Sequence, residues 1–542
     1  MSNDQSAQNS QANLVPHPNS IYRRDVVLGG TALLTATALS GIALPSLANA
    51  QVPKPGVNPT PGFNNNIPAK ILTPDVVKTR IGTLNFADGV PTAETAQLVY
   101  DNLDFLRGVE VFLNFMPAAS VEAMRMGAAD IGATESNQCI IYDDLLDSNP
   151  LLLTGNTDTV YCTGFLDLET DGPTVIEVPP GSGPGTVNDA FFRFVVDMGV
   201  PGLDQGNGGK YLIVPAGYTG DLPKQGYFVV RSPSHVNLLV LRGFLVDGRP
   251  DAASKMFREG VKIYSLSRAT NPPKMEFINC SKVPLNTVHA NDFGFFNEID
   301  HVIQKEPIDL FDPELRGLAA SIGIRKGHKF APDARMRAIL IDSVAVANAT
   351  SRAISFRNRD PRSVLYENSQ WKTAFIGGDY RWLDGDGLSG RNQDARTNFF
   401  YVATVNTPAM AAKIIGRGSQ YAGNFNDASG TPFDGAKTYR LRIPANVPAK
   451  DFWSVVLYDP QTRSELQTSQ PFPSKNKKRD KLIVNADGSV DLYFGPTAPA
   501  GREANWIQTV PKKGWFTLLR LYGPLEPWFE KTWRPGEIEL VS

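Results

Sequence analysis

Only three cysteines occur in 542 residues, Cys139, Cys162 and Cys280, and no two of them form a C-x-x-C pair. That excludes a cysteine-built zinc site and leaves two readings, one disulfide (most simply Cys139 with Cys162) or three buried thiols. The five histidines, His17, His235, His289, His301 and His328, make neither an H-E-x-x-H nor an H-x-H pattern, so nothing supports a compact histidine metal site. An excess of one charge is lacking too. Lys and Arg number 53 against 55 Asp and Glu, a formal net charge of −2 that steers the protein toward neither nucleic acid nor anionic lipid. No G-x-S-x-G elbow is present. The glycine cluster at 202–210 has Asp204 where a phosphate loop needs its first glycine and Tyr211 where it needs Ser or Thr, so it reads as a turn.

What is present begins with Tyr22-Arg23-Arg24-Asp25-Val26, an uncharged apolar run at 27–47, and Ala48-Asn49-Ala50. Two arginines before a modest apolar stretch and an A-x-A site read as a twin-arginine export signal cleaved after Ala50. Gly29, Gly30, Gly41 and Pro45 make the run a poor permanent anchor. The expectation is a periplasmic or secreted protein with no membrane attachment after cleavage.

With 42% hydrophobic and 10% aromatic residues, the rest is globular and long enough for two domains. Residues 51–70 read as a linker, 71–265 as an N-terminal β domain with leading helices, 266–380 as a helical middle segment, and 381–542 as a C-terminal β-sandwich domain. Helical spacing runs from about Thr92 through Val99, Leu103 and Leu106. Thr174-Val-Ile-Glu-Val178, Tyr211-Leu-Ile-Val214 and Val236-Asn-Leu-Leu-Val-Leu-Arg242 then alternate with period two. No helix of crossover length separates them, which predicts antiparallel sheets. The fold class expected is mainly β, two antiparallel β-sandwich or jelly-roll-like domains around a helical middle.

Several blocks carry a family resemblance. Asn156-Thr-Asp-Thr-Val-Tyr161, Gly206-Asn-Gly-Gly-Lys-Tyr-Leu212 and Pro215-Ala-Gly-Tyr218 lie in the N-terminal half; Asp394-Ala-Arg-Thr397, Tyr439-Arg-Leu-Arg-Ile-Pro444, Pro448-Ala-Lys-Asp-Phe-Trp453, Asn505-Trp506 and Arg520-Leu-Tyr-Gly-Pro524 lie in the C-terminal half. Together they resemble the bacterial family that pairs domain of unknown function 1254 with domain of unknown function 1214. The resemblance spans nearly all of the mature chain and implies paired sandwich-like domains and homo-oligomers. It implies no chemistry.

Candidate site residues come from charged positions on apolar strands. Arg193 and Asp197 share a face if 191–197 is one strand, and Arg231, His235 and Arg242 come from neighbouring strands. Such arginines suit an anionic or polyhydroxylated ligand, with Asp158 or Asp197 as general acid or base. Asn156 and Asp158 are equally explained by an Asx turn, and Tyr161 joins them only through a turn or bulge. In the C-terminal domain Arg520 and Tyr522 share a face, and Trp453, Asn505 and Trp506 offer flat rings and amides of the kind that bind sugars. Asp384, Asp386 and Asp394 hint at structural calcium, although position twelve of an EF-hand pattern is Ala395. No other cofactor is expected.

Two classes of function follow. One is an exported hydrolase or lyase acting on a carbohydrate or related ester: Asp158 with Asp197 for hydrolysis, or Tyr161 with Arg193 or Arg231 for elimination. The other is a noncatalytic envelope protein that binds a small molecule or glycan, or assembles. A metal-assisted hydrolase is a third reading.

Overall fold

The computed structural model describes residues 68–541. The expected export signal, its expected cleavage point and most of the expected linker lie outside the described residues. The described residues up to Pro91 form a unit of their own, a short 3-10 turn at Ala69–Ile71 and a small antiparallel sheet of Val76–Thr79, Gly82–Ala87 and Val90–Pro91. A second compact unit begins at Thr92.

That second unit opens with a 38-residue helix, Ala93–Asp130, capped by the Thr92 hydroxyl, which accepts from Thr95 N at 3.2 Å. Sequence periodicity fades after Leu106 because the second half of the helix is buried nearly all round: Val111, Phe112, Phe115, Met116, Ala118, Ala119 and Val121 are all within 1% of fully buried. A helix apolar on every side carries no stripe to read. Helices Gly294–Lys305, Pro313–Ser321, Ala334–Phe356 and Gln393–Val402 pack against it, two of them started by the caps Asp312 and Asp333. Gly108 lets the helix Ala334–Phe356 approach, since a Cβ there would lie 2.5 Å from Ser343 Oγ.

Strand Thr159–Asp167 sits inside a six-stranded sheet whose spatial order is Glu276–Asn279, Gln138–Ile141, Thr159–Asp167, Val236–Phe244, Pro184–Asp189, Phe194–Gly199. A four-stranded sheet of Phe228–Ser232, Gly209–Pro215, Thr174–Val178 and Lys262–Ser265 shares one apolar core with it. Two further four-stranded sheets, one containing Ala449–Tyr458 and Phe516–Pro524, the other Tyr439–Ile443 and Val490–Gly495, share a core in the C-terminal part.

The fold is therefore mixed α/β with much sheet, 28% helix and 28% strand, rather than mainly β. The sheets are not all antiparallel either. Gly209–Pro215 pairs parallel with Phe228–Ser232, because the twelve-residue connection between them is long enough to return the chain to the same end without a helix. The three described thiols are free and buried, which removes the disulfide reading. Its hydrogen bond with Cys139, together with burial, pushes the Cys162 thiol well above its ordinary range.

Candidate functional site

Alternation along two strands creates a cavity. On Thr159–Asp167, Val160 and Cys162 enter the sheet-to-sheet core while Tyr161 faces the other way; on Val236–Phe244, Leu239 and Leu241 enter that core while Leu238, Val240 and Arg242 face the helices. Arg242 and Tyr161 are directly paired across the strands, and the guanidinium lies 5.5 Å from the tyrosine ring centre. In the C-terminal sheet, Leu519 and Leu521 enter their core while Leu518, Arg520 and Tyr522 face out of it. Arg520 is paired with Tyr421, its guanidinium 5.4 Å from that ring. Both faces border one cavity of about 90 Å³, roofed by Phe399 and Val402 from the helix Gln393–Val402 and by Phe375 from a loop.

Three cations line this cavity and no carboxylate does. Arg520 donates to Thr154 O at 2.6 Å, Gly155 O at 3.1 Å and Tyr458 Oη at 2.7 Å, yet its Nε has no partner. Among the described residues, neither the Arg242 guanidinium nor the Lys372 ammonium makes a hydrogen bond or ion pair. Burial pulls the Lys372 ammonium below its ordinary range. Burial also pushes the Tyr161 hydroxyl up, with Arg242 and Arg520 pulling it back. Glu465, which does not line the cavity, has both oxygens buried without partners, and burial pushes its carboxyl well above the ordinary carboxylate range.

Asp158 and Asn156 brace the cavity from behind. Asn156 Oδ1 accepts from Asp158 N at 2.9 Å, the Asx turn expected, and the turn brings its Nδ2 to the Tyr161 hydroxyl, to which it donates. Asp158 is fully buried; Asn476 Nδ2 donates to its Oδ1 at 2.9 Å, while Tyr522 Oη, at 3.0 Å, and Ser454 Oγ donate to its Oδ2. So satisfied a carboxylate is a strut between the two halves. The proposed hydrolytic partner, Asp197, lies beyond Arg242 in an adjoining cavity of about 20 Å³. Its Oδ2 accepts from Thr407 Oγ1 at 3.1 Å, and burial raises it to about 6.

The other candidates do not join them. Strand pairing begins at Phe194, so 190–193 is a turn rather than strand: Asp189 Oδ1 accepts from Phe191 N and Arg193 N, both at 2.8 Å, and Phe192 sits at φ 53°. Arg193 is thereby bound to Asp189 Oδ2 at 2.7 Å and does not share a face with Asp197. Arg231 is exposed on another sheet, donating to Tyr218 O at 3.1 Å. His235 Nδ1 lies 2.9 Å from Lys305 O, and the ring lines neither cavity. Trp453 is part of the C-terminal core, as are Trp515, Trp528 and Trp533. Half-buried Trp506 donates to Gly495 O at 2.8 Å, and buried Asn505 donates to Ile483 O and Asp491 O. Trp453, Trp515, Trp528 and Trp533 offer no indole platform for sugars, because these four rings fill the interior. Asp384 and Asp394 are ion-paired to Arg362 and Arg359, and the described residues contain no group of three His, Cys, Asp or Glu placed to hold a metal.

Lys372, Tyr421, Asn398 and Phe399 were missed. Lys372 is joined to its neighbours by isolated bridges rather than a strand, so no period marks it. The signal for Asn398 was Asp394-Ala-Arg-Thr397, which opens a helix whose polar residues Arg396, Thr397 and Asn398 are all buried. Two β-branched residues bordering the cavity, Thr154 at φ 38° and Val405 at φ 64°, hold left-handed backbone, which costs of order 1–3 kcal/mol each.

Fold and cavity define a mixed α/β protein whose N-terminal and C-terminal sheets close on one cation-lined hollow. Residues 136–265 match the family described as Protein of unknown function (DUF1254), and residues 418–526 the one described as Protein of unknown function (DUF1214). The chain thus matches both family models, the first N-terminal to the second. Tyr161 and Arg242 come from the first segment and Tyr421 and Arg520 from the second, so the cavity is their seam. No curated protein matches the chain. Of solved structures, a Vibrio parahaemolyticus protein is 18% identical with a TM-score of 0.49 over 81% of this chain and 100% of its own. An uncharacterized Burkholderia cenocepacia protein is 13% identical with a TM-score of 0.38 over 82% of this chain and 96% of its own.

Proposed function

We propose that this is an exported protein which holds a small acid with a largely apolar body in the cavity at Arg242, its paired sheets acting as two β-sandwiches that form opposite walls. One observation carries the reading: Arg242, Lys372 and Arg520 line the cavity with no lining carboxylate, and the remaining wall is mostly apolar. An unpaired buried cation is costly, and a ligand anion removes that cost while its apolar body displaces water from Met124, Val240, Phe375 and Phe516. A carbohydrate fits less well, since its hydroxyls need hydrogen-bonding walls and the tryptophans lie elsewhere. Export rests on the sequence at 22–50.

A lyase reading is favoured by one further contact. Tyr161 lines the cavity beside Arg242 with its hydroxyl oriented by Asn156, so it is placed to move a proton on an acid whose carboxylate Arg242 holds. Elimination suits this geometry better than hydrolysis, because Asp158 lines no part of the cavity.

Calorimetric titration with hexanoate and with hexan-1-ol tests the binding reading. The acid is expected to bind and the alcohol not to, and Arg242→Gln is expected to weaken the acid about tenfold or more, the worth of a charged hydrogen bond. Binding of galacturonate with no binding of hexanoate would overturn the apolar-acid reading. For the lyase reading, Tyr161→Phe should retain binding and lose turnover in an acid-substrate screen.

A further inference from the structure

A second pocket, of about 390 Å³, opens between the turn at 190–193 and the helix Gln393–Val402. Four arginines line it, Arg193, Arg381, Arg391 and Arg396. Two are neutralised, Arg193 by Asp189 and Arg381 by Asp379. The other two have no carboxylate: Arg391 donates to Arg381 O, and Arg396 donates to Asn114 Oδ1 at 2.8 Å. The one lining carboxylate, Asp312, accepts from Leu315 N at 2.8 Å as a helix cap.

Three buried polar atoms on residues bordering this pocket lack partners among the described residues: Arg396 Nε, Trp382 Nε1 and Asn406 Oδ1. Arg396 is 8% exposed, Trp382 2% and Asn406 3%. Native proteins rarely leave such atoms unpaired, and a cluster of two donors and one acceptor calls for a molecule that supplies the complement. The rest of the wall is aromatic. Phe194 meets Tyr380 edge to face at 6.0 Å, Trp382 meets Phe400 at 5.0 Å, and Phe191 and Phe311 are 5.3 Å apart.

We infer that this pocket binds a planar aromatic carboxylate bearing a hydrogen-bond donor, with Arg391, Arg396 and the Trp382 indole N–H taking the carboxylate, Asn406 Oδ1 accepting from the donor, and the rings sandwiching the body. Guanidinium forks match carboxylate geometry, and flat π faces match an aromatic ring. The charge surplus agrees: burial and the neighbouring Arg391 pull Arg396 down to about 10, and burial and Arg193 pull Arg391 below its ordinary range. A carboxylate between them relieves both.

The test uses 4-hydroxybenzoate as probe, with its neutral analogue 4-hydroxybenzyl alcohol, in calorimetry on the mature protein. The acid is expected to bind at least tenfold more tightly than the alcohol, and Arg396→Gln to reduce its affinity about tenfold or more. Arg391 is exposed, so Arg391→Gln folds even if the buried substitution does not, and it should weaken the acid as well. Arg242→Gln, which weakens any acid held in the central cavity, should leave a binding event that still depends on Arg391 and Arg396. Equal affinity for acid and alcohol, unchanged affinity in Arg391→Gln, or loss of binding in Arg242→Gln alone would each overturn the inference.

Discussion

The Tyr522 hydroxyl donates to Asp158 Oδ2 at 3.0 Å across a sequence separation of 364 residues, tying the loop before strand Thr159–Asp167 to the C-terminal sheet. Because Ser454 and Asn476 donate to the same carboxylate, this link is a network rather than a single bond. Its placement behind Tyr161 couples the integrity of the cavity to the docking of the two halves.

Replacing Asp158 with Ala strands three buried donors. The expected loss is about 3 kcal/mol or more, read as a lower urea midpoint. Asp158→Asn, which keeps an acceptor, should lose less and should not abolish an activity found for the protein. Full folding stability with complete loss of turnover in Asp158→Asn would show Asp158 to be catalytic.

Lys372→Met addresses the uncompensated charge at the cavity. Removing a half-buried, unpaired ammonium from largely apolar surroundings should raise the melting temperature of the ligand-free protein and weaken acid binding in the same variant. A variant that melts lower and binds acids as before would mean the ammonium has no part in the site.

Asp197 makes stability depend on pH. In unfolded chain an aspartate titrates near 3.9, whereas burial raises Asp197 to about 6, so the folded state holds the proton more tightly. Stability is then fully present below pH about 4 and is lost as pH rises through 6, by up to about 3 kcal/mol. Asp197→Asn should flatten that part of the profile, melting with the parent protein at pH 4 and above it at pH 8.

At the helix crossing, Gly108→Val should destabilise by about 1–3 kcal/mol, because the new side chain meets Ser343 and Leu340. Adding Ser343→Gly should recover part of the loss. Additive losses in the double variant would contradict a shared contact.

Export is tested by Arg23→Lys with Arg24→Lys. Precursor retained in the cytoplasm, seen by fractionation, is the expected result; unchanged appearance outside it would refute a twin-arginine route.

Local rules were legible without coordinates. The Asx turn at Asn156 follows from an amide reaching its own backbone, and period two put Arg520 and Tyr522 on one face. The recurrent blocks located the two family segments. These depend on bonds and spacings within a few residues, and neighbours in sequence dictate them.

What only the tertiary structure decided is which faces meet. Arg193 failed as a partner of Asp197 because one buried carboxylate, Asp189, captures the turn and sends the arginine into another pocket. The tryptophans look alike in sequence whether they stack on a sugar or on Phe433, as Trp515 does at 3.9 Å. Tyr161, Arg242, Lys372 and Arg520 come together from positions up to 359 residues apart because two apolar cores bury one face of each sheet and leave the opposite faces to close on each other. No local pattern encodes that docking, since the burial of apolar surface that drives it is non-directional and is summed over the whole chain.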